Sequence, residues 1–204
     1  MSAAKRASKA SAAKKSAKAS AAKRSPKQSR AKIAMVQPAA EPLVTVTVQE
    51  GVLATRDANK LRIRAEKMLL ALGCGEVELS LAFVDDAVIR DLNKRWRKKD
   101  KHTDVLSFPM HDLEKGELLT VAASQPLLLG DVIVSVPTAT RQGKAHKRSP
   151  LDEITWLLAH GVLHLFGFDH KTDDQEREMN AFAGVLNAAA LNKRPLGLGI
   201  SARS

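Results

Sequence analysis

Valine and threonine alternate along Leu43-Val44-Thr45-Val46-Thr47-Val48-Gln49, the period of a half-buried β-strand. The period becomes helical from Asp57 to Leu72, where Leu61, Ala65, Met68, Leu69 and Leu72 share one face and Gly73 is placed to end the helix. Val77 to Val84 reads as a second strand. Asp85 then caps a short helix reaching about Arg95, with Val88, Ile89 and Leu92 inward. Val105 to Phe108 predicts a third strand, stopped by Pro109. Residues 110–128 carry no clear period and predict a hairpin or surface excursion. Leu129 to Ser135 predicts a buried fourth strand, and Pro137 opens a short helix to about Lys144. Ser149-Pro150-Leu151-Asp152-Glu153 is a helix start, with Ser as cap, Pro at the first position and acids in the first turn. That helix runs to Phe166 and is apolar nearly all round, so it belongs at the centre. Thr172 or Asp173 caps a last helix, Asp174 to about Ala190, with Met179, Phe182, Ala183, Val185 and Leu186 inward. Four strands and about five helices, the helices partly gathered at the end, predict an α+β domain with a small mixed sheet over residues 41–190.

The flanks differ in composition. Residues 1–40 are Ala, Ser, Lys and Arg with little else. They cannot bury enough apolar surface to offset the entropy of ordering, which predicts a disordered extension. Residues 191–204 read as a flexible basic tail. Net charge is +11, but eleven of the 33 Lys and Arg lie in residues 1–40, which contain no Asp or Glu. The other 22 balance the 22 acidic residues, so the domain itself is formally neutral. The arm is suited to contacting nucleic acid non-specifically, through phosphates and with strong salt dependence. A solubilising tail, or a Ser-rich and acid-free transit peptide, is the other reading. No apolar run reaches the ~18 residues needed to span a membrane, which argues against a membrane protein. The N-terminus has no apolar signal core, and the single cysteine, Cys74, fits a reducing compartment.

Chemistry concentrates in Ala159-His160-Gly161-Val162-Leu163-His164-Leu165-Phe166-Gly167-Phe168-Asp169-His170, which holds three of the six histidines. His160 and His164, four apart, face the same side of a helix, one turn above the other. Gly167 follows where a helix would stop in the left-handed conformation, so the chain can turn back and His170 can add a third nitrogen. Three imidazoles with an open fourth position is the pattern of a catalytic zinc site. The spacing is also that of the metzincin peptidases, which need Glu after the first His as general base. Here that position is Gly161, which argues against peptide hydrolysis by that route.

The stretch His160 to His170 resembles the signature of the YbeY endoribonucleases, metal-dependent RNases of bacterial ribosome maturation. Asn93-Lys94-Arg95-Trp96-Arg97-Lys98-Lys99-Asp100-Lys101-His102-Thr103-Asp104-Val105-Leu106-Ser107-Phe108-Pro109 and Leu129-Gly130-Asp131-Val132-Ile133-Val134-Ser135 fit the same family, in the same order. The resemblance spans roughly residues 43 to 190 and leaves out the basic arm. It implies a zincin-like fold with a four-stranded mixed sheet. It implies a single-strand-specific endoribonuclease acting in 16S rRNA 3′-end maturation and ribosome quality control, in the cytoplasm. Its partners would be the 16S rRNA precursor and the small ribosomal subunit. His160, His164 and His170 would hold one Zn2+ per chain, and Arg97 would stand near the metal. These four residues are the expected catalytic set. Gly161 leaves the base open: zinc hydroxide itself could serve, or the RNA 2′-hydroxyl could attack after losing its proton elsewhere. The alternatives are a metallohydrolase of another substrate class, such as an unusual peptidase or amidase, and a ribosome-associated RNA-binding factor with a structural zinc.

The residues around these motifs refine the picture. Lys94 to Lys101 contains six basic residues in eight positions. Such a run suits an RNA backbone, with Trp96 available for base stacking or packed in the core. Arg97 carries a guanidinium, a bidentate phosphate clamp. Asp131 is either a partner of a ligating imidazole or a cap for loop amides, and Asp169 either caps a turn or touches the bound water. Aromatic content is 3%, without tyrosine, too little for a multi-base stacking sheet.

Overall fold

The computed structural model describes residues 41–111 and 127–192. The expectations for the basic arm, for most of 110–128 and for the C-terminal tail therefore fall outside the described residues. The elements are β1 (Leu43–Val48), α1 (Thr55–Ala71), β2 (Val77–Val84), α2 (Asp86–Arg97), β3 (Val105–Pro109), β4 (Leu127–Ser135), α3 (Val136–Ala145), α4 (Pro150–Leu165) and α5 (Asp173–Ala190). The sheet order is β1-β2-β4-β3. β1, β2 and β4 run parallel, and β3 pairs antiparallel with β4 at one edge, which makes the expected mixed sheet.

Alternation sorts each strand onto two faces. Val44, Leu79, Leu81, Phe83, Val132 and Val134 face the main core, shared with α1, α4 and α5. Ile154, Leu158, Val162 and Leu163 of α4 are fully buried there, as the all-round apolar pattern requires. Burying each such side chain contributes roughly 1.5–3 kcal/mol. The opposite face is covered by α2, where Ile89 packs with Val84 and Leu106, and Phe108 and Ile133 lie against them.

Two details of α2 differ from the pattern-based expectation, and β4 begins two residues earlier than expected, at Leu127, while β3 takes in Pro109. Val88 is exposed and the inward side of α2 is Ile89 with buried Asn93, so the apolar face is rotated by about one residue. The helix also continues two residues past Arg95, to Arg97. Asn93 explains the extension: its carbonyl accepts from the Lys99 amide at 3.2 Å and its Nδ2 donates to the Lys101 carbonyl at 2.8 Å. A buried amide that satisfies the chain beyond the helix end holds the last turn closed. At Gly130, φ is +134° and a Cβ would sit 2.1 Å from the Phe108 carbonyl oxygen, so only glycine lets β3 lie against β4 there.

Asp86 ties α2 to the β4–α3 corner. Its carboxylate accepts from Ser135 Oγ at 2.5 Å, Thr138 Oγ1 at 2.6 Å and Arg141 Nη2 at 2.8 Å. Partial burial alone would raise this carboxyl, but the three hydrogen bonds and the Arg141 charge outweigh it and hold it at about 2, against an ordinary 3.8. The folded state thus binds this proton more weakly than the unfolded chain. Its stabilisation is full above pH ~4 and fades as pH falls through about 2. With allowance for the solvent-facing side, Asp86→Asn is expected to cost about 1 kcal/mol at pH 7. In urea titrations the gap between wild type and variant should close as pH drops from 4 to 2. A gap independent of pH would remove the ionic account.

Candidate metal centre and active site

α4 is built for rigidity at both ends. Ser149 Oγ accepts from the Asp152 amide at 3.2 Å, with Pro150 next to it. At the other end Gly167 takes φ +77°, the Phe168 amide donates to the Leu163 carbonyl at 3.1 Å and the Gly167 amide to the His164 carbonyl at 3.1 Å. This pair of bonds is the Schellman closure that a glycine after a helix allows. Phe168 then stacks edge-on against Phe182 of α5 at 5.1 Å, which fixes the turn to the next helix.

The turn brings the three histidines together. His160–His164, His160–His170 and His164–His170 ring centroids are 4.9, 5.4 and 5.2 Å apart. One ligand nitrogen from each lies within 4.8 Å of the others, a group that can hold a metal ion. His164 Nδ1 is 2.9 Å from the Phe168 carbonyl oxygen. A carbonyl only accepts, so Nδ1 carries the proton and the Nε2 lone pair is left for a cation. The same turn therefore delivers His170 and sets the tautomer of His164. Burial first, then the neighbouring His164 and His170, push the His160 imidazole down to about 4, against a small upward pull from Asp104. Burial likewise lowers His164, opposed by the Phe168 carbonyl and assisted by His170 and, more weakly, Arg97. Neutral imidazoles crowded by like groups are the donor set a borderline-soft divalent cation takes.

Arg97 ends α2 with an exposed side chain, and its charge reaches His164. Asp169 caps the turn, accepting from the His170 amide at 2.8 Å and pairing with Lys171 at 2.7 Å. Asp131 is not beside the imidazoles. It pairs in register with Phe108, on the sheet face toward α2, while its neighbour Val132 faces α4. Trp96 is exposed, not core.

Gly161 lies flush against the sheet. A Cβ there would come 2.6 Å from Val132 Cγ1, 3.1 Å from Ser107 Oγ and 3.3 Å from Val105 Cγ2. The position that follows the first histidine has no room for a general base. Ser107 Oγ instead donates to the Gly161 carbonyl at 3.1 Å. Pattern reading did not single out Ser107 or Asp104, whose Oδ2 accepts from Gln142 Nε2 at 2.9 Å. Strand alternation was the available signal for Ser107, since Val105 and Ser107 share the face toward α4. For Asp104 there was none, because its effect on His160 depends on tertiary placement.

Residues 49–188 match the family described as endoribonuclease YbeY. The chain belongs to the YbeY endoribonuclease family. A Myxococcus xanthus endoribonuclease YbeY is 47% identical over 139 residues, 68% of this chain and 45% of the relative. The Prochlorococcus marinus protein of that name is 47% identical over 108 residues, 53% of each chain. The Bacillus mycoides YbeY is 45% identical over 102 residues, 50% of this chain and 65% of the relative. The chain thus spans about half to two thirds of the curated relatives it matches. The solution structure of TM1509 from Thermotoga maritima superposes with a TM-score of 0.52 at 22% identity, covering 74% of this chain and 90% of that one. That likeness bears on the fold, which is the α+β arrangement with a four-stranded mixed sheet. Among the described residues no helix is long and apolar enough to cross a membrane.

Proposed function

We propose that this chain is a zinc-dependent, single-strand-specific endoribonuclease of the cytoplasm, acting on the 3′ end of 16S rRNA and in ribosome quality control. The observation that carries the reading is the convergence of three imidazoles, with the Arg97 charge weakly felt at His164. His160, His164 and His170 would hold the ion, through Nε2 in the case of His164. When bound, zinc supplies Lewis-acid polarisation of a phosphoryl oxygen and acidifies water. The chain's own part is positional. Arg97 clamps the scissile phosphate and stabilises its extra negative charge as the bond order to phosphorus rises. The Phe168 carbonyl keeps His164 aimed. Gly161 supplies no base, so the proton is taken by hydroxide held at the metal or by a group elsewhere. Residues 41–190 form the catalytic domain in this reading. The basic arm adds non-specific contacts to nucleic acid and the small subunit is the larger partner, with residues 191–204 as a tail.

Cleavage of an end-labelled single-stranded fragment of the 16S rRNA 3′ region tests this. Chelation is expected to stop cleavage, and re-added zinc to restore it. Arg97→Ala is expected to keep its zinc and lose about 10²–10³-fold in rate, the scale for one charge-stabilising donor. Cleavage that survives both chelation and Arg97→Ala would sink the proposal.

A further inference from the structure

The end of α2 carries a feature that the metal and the phosphate clamp leave unused. Trp96, next to Arg97, is 69% exposed, although tryptophan is on average a well-buried residue. It is not loose. Phe108 of β3 meets it at 6.0 Å and 68°, an edge contact that holds the indole and leaves broad ring surface to solvent. The segment after it is pinned as well. Lys98 takes φ 58°, Asn93 bonds to Lys99 and Lys101, and Asp100 binds back to Arg90 at 2.7 Å and Lys94 at 2.8 Å. Asp91 pairs with Arg95 at 2.6 Å. These contacts engage Arg90, Lys94 and Arg95 with two carboxylates, Asp100 shared by the first two. Arg97, Lys98, Lys99 and Lys101 have no carboxylate partner among the described residues. The result is a preorganised surface: a held, open aromatic ring bordered by uncompensated cations.

The geometry points to Trp96 as a stacking subsite for one unpaired nucleobase of the strand whose phosphate Arg97 holds, an inference that rests on the nuclease reading above. An indole face attracts flat π-systems, and the cations around it select a polyanion. A single-stranded nucleic acid satisfies both demands at once. A base inside a duplex is covered on both faces by its neighbours and cannot offer one to Trp96. The subsite would therefore favour single strands at the step of binding, before any chemistry. An apolar protein partner would meet the same ring but leave Lys98, Lys99 and Lys101 to be desolvated without counter-charges.

The test uses the full chain and a 2′-O-methyl RNA octamer, which binds without being cut through its 2′-oxygen, at physiological salt. The basic arm is common to all variants, so ratios of affinity isolate the domain. Trp96→Ala is expected to weaken binding about tenfold and Trp96→Phe only about two- to threefold, since a smaller ring still stacks. A set of octamers, each with one abasic position, adds the decisive reading. One position should weaken wild type about tenfold and leave Trp96→Ala no weaker than it already is. In a Trp156→Phe background, the emission of Trp96 should be quenched by the intact octamer and not by the one lacking that base. If Trp96→Ala binds like wild type while Arg97→Ala binds weakly, stacking is overturned and the nuclease reading stands. If abasic positions weaken wild type and Trp96→Ala equally, stacking is likewise overturned. If wild type binds no single strand at all, both fall.

Discussion

Replacing His160 and His164 together by alanine is expected to remove bound zinc and lower RNA cleavage at least about a thousandfold, with the fold intact. The size of the loss follows from what two ligands do. One remaining imidazole, His170, is on an exposed turn and cannot hold an ion against water. The fold should survive because neither ring anchors α4. That helix is held by Ile154, Leu158, Val162 and Leu163 against the sheet and by its two closures. Burial and the like neighbours push His160 down to about 4, so without a cation the ring is neutral at pH 7 and replacing it removes no charge interaction. Metal-free double variant and metal-free wild type should therefore melt at similar temperatures, and alanine's helix preference would offset part of any lost packing. Added zinc should raise the melting temperature of wild type alone, because only a state that binds the ligand gains from it. Metal analysis, thermal melts with and without zinc, and cleavage rates read the three parts separately. One equivalent of zinc retained by the double variant would place the ligands elsewhere.

Local chemistry made much of this molecule readable in advance. The caps Asp85, Ser149 and Thr172 act within three residues of themselves, and each accepts the expected amide. Gly73 and Gly167 end α1 and α4 with the same pair of bonds, since a left-handed residue closes a helix the same way wherever it falls. The 160–164 spacing on such a helix leaves little choice about where the rings go. What stayed hidden depends on partners far along the chain. The rotation of α2 that exposes Val88 is set by Asn93 reaching Lys101. The side on which Asp131 lies is set by its register with Phe108, not by anything near Asp131 itself. Trp96 was readable as an aromatic in a basic run. Its exposure depends on Phe108 holding it from another strand.

Gly161 is the clearest case, and a substitution there should have a large structural effect. Glutamate at this position would restore the His-Glu order that a peptidase base requires, yet it is expected to destabilise the domain strongly rather than change its chemistry. The reason is the 2.6 Å between a Cβ and Val132 Cγ1, with Ser107 and Val105 closing the other sides. A single methyl, Gly161→Ala, must push α4 or β4 aside, an overpacking cost of about 1–3 kcal/mol that alanine's better helix preference only partly offsets. Glutamate adds a carboxylate directed into the seam between α4 and the sheet, against Val132, Val105 and Ser107, and the total should exceed about 4 kcal/mol. For a domain of this size that corresponds to a fall in melting temperature of at least about 10 °C. Gly184 on α5 is the internal control. A Cβ there meets nothing within 4 Å, so Gly184→Ala should be neutral or raise stability by up to about 1 kcal/mol. Melts followed by circular dichroism decide the matter. If Gly161→Glu melts within a few degrees of wild type, α4 does not lie flush on β3 and β4, and the absence of a base would need another cause. If it melts early while Gly184→Ala does not, the glycine is required by the approach of helix to sheet. The active site then does without a glutamate because the packing that aligns His160 and His164 leaves no space for one.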